Sequence, residues 1–364
     1  MPKQLSIFTK IMGLFIFAIT ANQIARAQIA KADSLLNYII AHKQNTAFSL
    51  VVNDTTIVAH NPYKLMPLAS TVKILIAVEF AKQAGKQVIN ENEWIPIAAC
   101  NKYYLAFTDG GAHTSWLAYE KGKNHIKNDS IQLINVARGM MMFSSNANSE
   151  YLLDALGLDN VKNNIQLFGL KNHTAIFPLV ASLFIYQNPK KLNEHKLLKA
   201  IKNLPEEGYC KTIYEIHKAL KYDTTLLKKF KLADLTENMQ QVWSDKLTAS
   251  TTADYVHLAS ILNNRKFLDA NSYGIIAELL EFLMENPANQ KNYIHFGMKG
   301  GSTASVLTDV FYATTKNGIK IESACFFNNL PYTDNTTLQR WMNSFKIALT
   351  QNELFRKKVQ QLLQ

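Results

Sequence analysis

The sequence predicts a mixed α/β (α+β) protein in which an antiparallel sheet flanked by helices is joined to an all-helical lobe. Three observations point there. Apolar and polar residues alternate with period two near both ends of the chain, at 47–59 and from 293 to 327, whereas those between recur at helical spacing. Strands at both ends with helices between imply one sheet shared by the termini. No repeat and no low-complexity linker divides the 364 residues. One unit in two lobes is therefore expected, an α/β lobe over about 28–75 and 265–364 and a helical lobe over about 76–264.

The elements follow in order. Lys3 and Lys10 flank a polar start, an uncharged apolar run covers Ile11 to Thr20, and Ala25-Arg26-Ala27 supplies small residues for cleavage, so residues 1–27 read as a secretory signal peptide. The alternative, a membrane anchor, needs ~20 apolar residues and the run is much shorter. Gln28 follows the cut, not cysteine, so no lipid attachment is expected, and the mature chain is expected to be soluble, secreted and periplasmic. Asp33 to His42 reads as an amphipathic helix, and Ala47 to Val52 and Thr55 to Ala59 as strands across an Asn53-Asp54 turn. An apolar helix opens at Ser70 and ends near Gly85. Asp129 or Ser130 can cap a helix through Met142, a turn follows at Ser144, and Ala147 to Leu156 resumes as a helix closed by Gly157.

From Glu194 to Asn264 the pattern is helical, with Lys and Glu outward and Leu, Ile and Trp243 in stripes that read as core. Within it, Thr248 to Asp254 caps a helix continuing to Leu262. Tyr293 to Met298, Leu307 to Thr314 and Ile319 to Phe327 then read as antiparallel strands, before a final helix from Thr336.

Removal of residues 1–27 takes away Lys3, Lys10 and Arg26 and no acid, so the formal charge falls from +11 to +8. A basic exterior suits anionic wall polymers or carboxylate substrates, but no basic block with interleaved aromatics occurs, so no nucleic-acid partner is expected. Cys100, Cys210 and Cys325 are far apart, odd in number and without metal spacing. At most one disulfide can form, and no metal or cofactor is expected.

Ser70-Thr71-Val72-Lys73 is the most informative segment. On a helix, a lysine three residues after a serine lies one turn on, beside the serine oxygen. Desolvation on an apolar first turn, with other cations near, lowers the lysine pKa and lets it act as a base. Two further elements follow in order, Ser144-Ser145-Asn146 and Lys299-Gly300-Gly301. Each alone is weak: a lone S-x-x-K is more often an ordinary helix start, and Lys299 or Asn146 alone an ordinary surface group. The ordered trio S-x-x-K, S-x-N, K-x-G resembles that of class A β-lactamases and penicillin-binding proteins.

That resemblance implies a β-lactamase/transpeptidase-like fold from about Phe48 to the C-terminal strands, and an acyl-enzyme on Ser70. Lys73 would take or relay the proton, Ser144 would pass one to the leaving group, and Asn146 would bond Lys73 and the substrate amide. Lys299 would keep the cluster electropositive and attract a carboxylate. The backbone N–H groups of Ser70 and Ser302 would form the oxyanion hole, with Gly300 and Gly301 allowing close approach. It also implies insertions at about Glu194 to Trp243 and Gly110 to Asn128, because the motif intervals are longer than usual.

Three departures qualify the pattern. Ser145 replaces the usual aspartate of S-D-N. Gly300 replaces the hydroxyl residue of K-T-G, for which Ser302 or Thr303 can substitute. Most seriously, the E-x-x-L-N glutamate that activates the deacylating water is missing: no acidic residue lies between Asp159 and Glu194. Glu150 stands where the family usually has an asparagine facing that loop. His173, in the equivalent loop, is a candidate base with an unperturbed pKa near ~6.5, although a loop histidine bonded to backbone is the commoner case. The expected function is a secreted serine hydrolase acting on a β-lactam, a D-Ala-D-Ala peptide or an ester, with slow β-lactam deacylation. The alternative is a β-lactam or wall-peptide binding or sensing protein that acylates without turnover.

Overall fold

The computed structural model describes residues 26–188, 191–223 and 225–364. The leader expected over 1–27 lies outside these but for its last two residues, which open a helix over 26–41 (α1). The chain divides into a terminal unit, up to Gln44 together with Tyr332–Gln364, and a larger unit, Asn45–Pro331.

Along the larger unit run β1 (Thr46–Val52), β2 (Thr55–His60), β3 (Met66–Pro67) and, after a 3₁₀ turn at Ala69–Val72, α2 (Lys73–Gly85). Next come β4 (Trp94–Pro96), α3 (Ile97–Asn101), α4 (Ala112–Gly122), β5 (Ser130–Gln132), α5 (Leu133–Arg138), α6 (Asn146–Leu156), α7 (Leu158–Leu167) and α8 (Leu179–Leu183). The stretch expected to be an insertion contributes α9 (Glu194–Lys202), α10 (Glu206–Tyr222), α11 (Thr225–Lys229) and α12 (Glu237–Asp245). The unit closes with β6 (Ala249–Ser250), α13 (Thr252–Asn264), α14 (Ala270–Leu280), α15 (Pro287–Asn292), β7 (Tyr293–Ser302), β8 (Leu307–Thr315) and β9 (Lys320–Phe327).

The main sheet is antiparallel in the order β2-β1-β9-β8-β7, so strands from the two ends of the unit meet where β1 pairs with β9. α13 lies across β1, β8 and β9, its N-terminus capped by Thr251, which accepts from Asp254 N–H. α2 is buried along most of its length, with apolar residues on every side and only Lys73 and Glu79 as buried charged residues, and packs on α6, α7 and α14. β7 forms one edge of the sheet among the described strands.

Two expectations are corrected. The helix read from Asp129 or Ser130 begins only at Leu133, because Ser130–Gln132 pairs with Trp94–Pro96 and buries Ile131. The final helix is two, α16 (Tyr332–Gln351) and α17 (Glu353–Leu363), since Asn352 leaves helical geometry and caps the second by accepting from Phe355 N–H (3.0 Å). Within the terminal unit, Tyr38 donates to Asp334 (2.9 Å), Lys358 pairs with Asp33 (2.8 Å) and Phe345 meets Phe355 edge-on. No described helix is long and apolar enough to cross a membrane.

Candidate active site

Ser70 sits in the 3₁₀ turn, half-buried, and α2 starts only at Lys73, whose backbone N–H donates to Ser70 O. Ala69 carries φ 45°, a left-handed conformation that strains a residue with a Cβ and throws the chain sharply from β3 into the turn. The strain is held by Leu68. Its N–H donates to Thr248 O (2.9 Å), and its carbonyl accepts from Thr71 N–H (3.0 Å), Thr71 Oγ1 (2.6 Å) and Thr308 Oγ1 (2.8 Å). The nucleophile turn is thus bolted to β6 and to β8.

Lys73 is fully buried. Its Nζ donates to Ser144 O (2.7 Å) and Asn146 Oδ1 (2.7 Å) and lies 3.3 Å from Ser144 Oγ. Burial, and next the Lys299 ammonium, push this amine well below the usual lysine range, against the opposing pull of Asp109 and Glu150. Among the described residues no hydrogen bond joins Lys73 to Ser70, the contact that helical spacing predicts. The tighter 3₁₀ turn rotates Ser70 away from an α-helical position, and a carbonyl and an amide oxygen claim the amine. Such bonds commonly tighten only when substrate is bound.

Ser144 closes a π-helical turn over Gly139–Phe143 and takes φ 71°. Only glycine fits where that turn begins: a Cβ on Gly139 would stand 2.4 Å from Asn148 Nδ2 and 2.5 Å from Trp116. The left-handed Ser144 aims its hydroxyl between two buried lysines, with Lys299 Nζ at 3.1 Å on the other side from Lys73. Lys299 also donates to Gly300 O (2.7 Å).

The two motif glycines differ in what they permit. A Cβ on Gly301 would stand 2.4 Å from Ser70 N and 2.9 Å from Leu68 O, so only glycine lets β7 pass so close to the nucleophile turn. At Gly300 a Cβ would meet Thr308 O at 3.6 Å and Asp309 Oδ2 at 3.7 Å, ordinary contact, so the missing K-T-G hydroxyl is not enforced by space. Of its two expected substitutes, Ser302 is exposed at the end of β7. The Thr303 hydroxyl is committed: it accepts from Ser244 Oγ (2.8 Å) and Val306 N–H (3.2 Å), tying the β7–β8 turn to α12.

Sequence reasoning missed Thr308 and His113. Ser145, in the aspartate position, caps α6 by accepting from Asn148 N–H (3.2 Å) and lies 2.9 Å from His113 Nδ1. His113 is buried, stacked on Tyr104, with Nε2 at 2.8 Å from Asn101 Oδ1. Burial pushes its ring below the usual histidine range, so the neutral form holds the turn. No sequence signal marks it, because α4 meets α6 only through the fold.

Across from this cluster lies a different kind of wall. Ala69 and Ala147 share one buried apolar cluster with Phe177, Leu179, Val180 and Ala181. Glu150 is fully buried and faces that segment. Its carboxylate accepts from Val180 N–H (3.3 Å) and Ala181 N–H (2.9 Å) at the start of α8, and from His217 Nδ1 (3.3 Å). His173 is held at both ring nitrogens, 2.7 Å from Thr174 O and 3.2 Å from Tyr255 Oη, and burial pushes it below the usual histidine range. Both candidates for a deacylation base are thus engaged in holding the loop. All three cysteines are buried thiols, and among the described residues no group of three or more His, Cys, Asp or Glu could hold a metal.

Comparison with known proteins agrees with this fold. Among solved structures the fold is similar to a class A β-lactamase of Bacteroides cellulosilyticus (TM-score 0.52, 13% identity, 89% of this chain and 98% of that one). It is likewise similar to the TLA-3 extended-spectrum β-lactamase (0.53, 14%, 89% and 100%). A third is a mutant of PBP-A solved as an acyl-enzyme complex with penicillin G (0.50, 13%, 90% and 97%). No curated protein sequence matches the chain. The family model for the Beta-lactamase enzyme family matches residues 31–340. The match covers most of the chain, so the chain belongs to the Beta-lactamase enzyme family and is a serine hydrolase of the β-lactamase-like kind.

Proposed function

We propose that the protein is a secreted, periplasmic acyl-enzyme hydrolase with Ser70 as nucleophile, acting on a β-lactam, a D-Ala-D-Ala peptide or an ester, and that it deacylates β-lactam adducts slowly. One observation carries the first part: the Ser144 hydroxyl stands between two buried lysines, 3.3 Å from Lys73 and 3.1 Å from Lys299, beside a serine turn braced by Gly301. Ser70 Oγ gives its proton to the neutral Lys73 amine and attacks the acyl carbon. The Ser70 and Ser302 N–H groups receive the oxyanion. Ser144 then protonates the leaving nitrogen or oxygen and is recharged from Lys73, while Asn146 holds both Lys73 and the substrate amide. Lys299, with Ser302, draws the substrate carboxylate. No cofactor takes part in this scheme.

Slow deacylation rests on the opposite wall, where residues 160–193 hold no acid and Glu150 is occupied by two amides and a histidine. The same feature favours a second reading, a protein that traps a β-lactam or wall peptide as a signal. Intact-mass analysis with benzylpenicillin and with a D-Ala-D-Ala peptide tests both. One acyl mass on Ser70 that persists for minutes with penicillin is expected, since loss of a general base costs ~10² to 10⁴ in rate. Peptide turnover marks the enzyme, and a single stable equivalent marks the trap. No adduct and no hydrolysis with either probe or with an activated ester would overturn the proposal, and penicillin turnover as fast as that of efficient β-lactamases would overturn slow deacylation.

A further inference from the structure

The helix α10, part of the expected insertion, braces the loop opposite the nucleophile at three points. Glu206 accepts from Ala175 N–H (2.7 Å), Tyr214 Oη donates to Ile176 O (2.8 Å), and His217 reaches Glu150. The last contact differs from the others because it ends on a buried charge near the catalytic lysine. His217 lies between two carboxylates of α6, with Nδ1 3.3 Å from Glu150 and Nε2 3.3 Å from Asp154. Its ring stacks on Tyr103, centroids 5.3 Å apart, and Tyr103 Oη donates to Asp154 (2.6 Å), which Lys221 also meets (3.1 Å). Burial disfavours its charge, but the bonds to Asp154 and Glu150 push its pKa up to about 9, so it is an imidazolium at neutral pH.

The charges that bear on Lys73 are Lys299, Asp109 and Glu150; Glu150 favours the protonated amine, which is the wrong form for a base. His217 is not among them, and its link to Lys73 is its contact with Glu150. Resting on the acyl-enzyme reading above, we propose that His217 is a positioning residue for acylation, whose imidazolium holds the Glu150 carboxylate on the amides of Val180 and Ala181 and away from service as a counter-ion to Lys73. Loss of His217 leaves a buried carboxylate short of a partner, and the nearby ammonium of Lys73 is the remaining cation it can recruit. The insertion would thus supply an electrostatic part of the site.

The test reads Lys73 directly. In the full chain labelled with ε-¹³C-lysine, the Lys73 resonance is identified by its loss in Lys73→Arg and titrated by NMR, alongside the rate of fluorescent-penicillin labelling. His217→Gln should move the Lys73 midpoint to higher pH and slow labelling at pH 7 by ~10-fold, the effect of one pH unit. Glu150→Gln should move it to lower pH, and the pair Glu150→Gln/His217→Gln should titrate like Glu150→Gln alone. His217→Arg, which keeps the cation, should restore the wild-type midpoint. A wild-type midpoint in His217→Gln, or an equal displacement with and without Glu150, overturns the proposal. Should His217→Gln not fold, His217→Arg against wild type and the pair against Glu150→Gln decide it, and a difference in either comparison overturns it. A wild-type protein that never labels would overturn the acyl-enzyme reading, while the NMR midpoints still decide the role of His217.

Discussion

The two walls of the site are built on opposite principles. On the side of α2 and β7, polar groups converge: Asn146, Lys73, Ser144 and Lys299 form a chain of hydrogen-bond contacts in that order, and two of them are buried lysines. On the side of residues 173–183 the polar groups are spent on the protein itself, with Glu150 on backbone amides and His173 on Thr174 and Tyr255. A group that must change its proton during a reaction needs a destabilised ionic form, which two ammonium groups sharing one hydroxyl provide. On the other wall the carboxylate of Glu150 is committed to the backbone amides of Val180 and Ala181. On the function proposed above, the comparison teaches that the machinery for making an acyl-enzyme and that for hydrolysing it are separable, the polar wall serving the first and the opposite wall serving the fold.

The largest effect that can break this comparison is at Ser70. Ser70→Ala should abolish labelling by a fluorescent penicillin or a fluorophosphonate, read by gel fluorescence and intact mass. Wild-type labelling of the mutant would remove the polar wall from the chemistry altogether.

Next comes Lys73→Ala, expected to slow acylation by ~10² or more, the usual scale for a positioned base. The pH profile of the wild type sharpens the point. Because burial and Lys299 depress the Lys73 pKa, the amine is neutral above its shifted midpoint, so acylation should rise with pH through a midpoint below the ordinary lysine range. A stopped-flow profile that rises only near the ordinary lysine range would show that the lysine pair does not act as described.

How much of this was legible in the chain depends on the range of the interaction. Ser70, Lys73, Ser144, Asn146 and Lys299 could be read because their chemistry fixes residue type and order, and the edge strand could be read from its period. The helices α2, α6 and α13 and the five strands of the main sheet were also visible, whereas α4, α7, α8 and α14 were not. What could not be read is whatever the fold brings from afar. Thr308 reaches Leu68 across 240 residues and His113 meets Ser145 across 32, and neither leaves a local pattern. The three-residue strands Trp94–Pro96 and Ser130–Gln132 are too short for periodicity to reveal, and their pairing ended the expected helix early. Helical spacing also misjudged Ser70, because a 3₁₀ turn and a strained Ala69 replace the α-helical start.

Third in size is the pair of motif glycines. Gly301→Ala puts a Cβ 2.4 Å from Ser70 N and 2.9 Å from Leu68 O, two backbone atoms that cannot yield without moving the nucleophile turn. Overpacking of this kind costs ~1–3 kcal/mol, and displacement of a nucleophile costs up to ~10²-fold in rate. Acylation should therefore fall at least ~10-fold with a lower melting temperature, whereas Gly300→Ala, whose Cβ finds ordinary contacts at 3.6 and 3.7 Å, should change neither appreciably. Equal effects at the two positions would mean that β7 is free to shift relative to Ser70.

The smallest effect separates Ser302 from Thr303. Both can offer the hydroxyl that Gly300 lacks, but Thr303 is built into its turn by Ser244 and Val306, while Ser302 is exposed at the strand end. Removal of a hydroxyl that bonds a charged substrate group costs ~1.5–3 kcal/mol in a dry site, and less where water competes. Ser302→Ala should therefore weaken acylation by carboxylate-bearing probes by several-fold, leave neutral ester probes unaffected and leave the melting temperature unchanged. Thr303→Val should do the reverse, lowering the melting temperature by freeing Ser244 and the turn amides while discriminating little between probes. If Thr303→Val carries the carboxylate preference instead, the hydroxyl must leave its turn when substrate binds, and this end of the polar wall is then remodelled by substrate and not preformed.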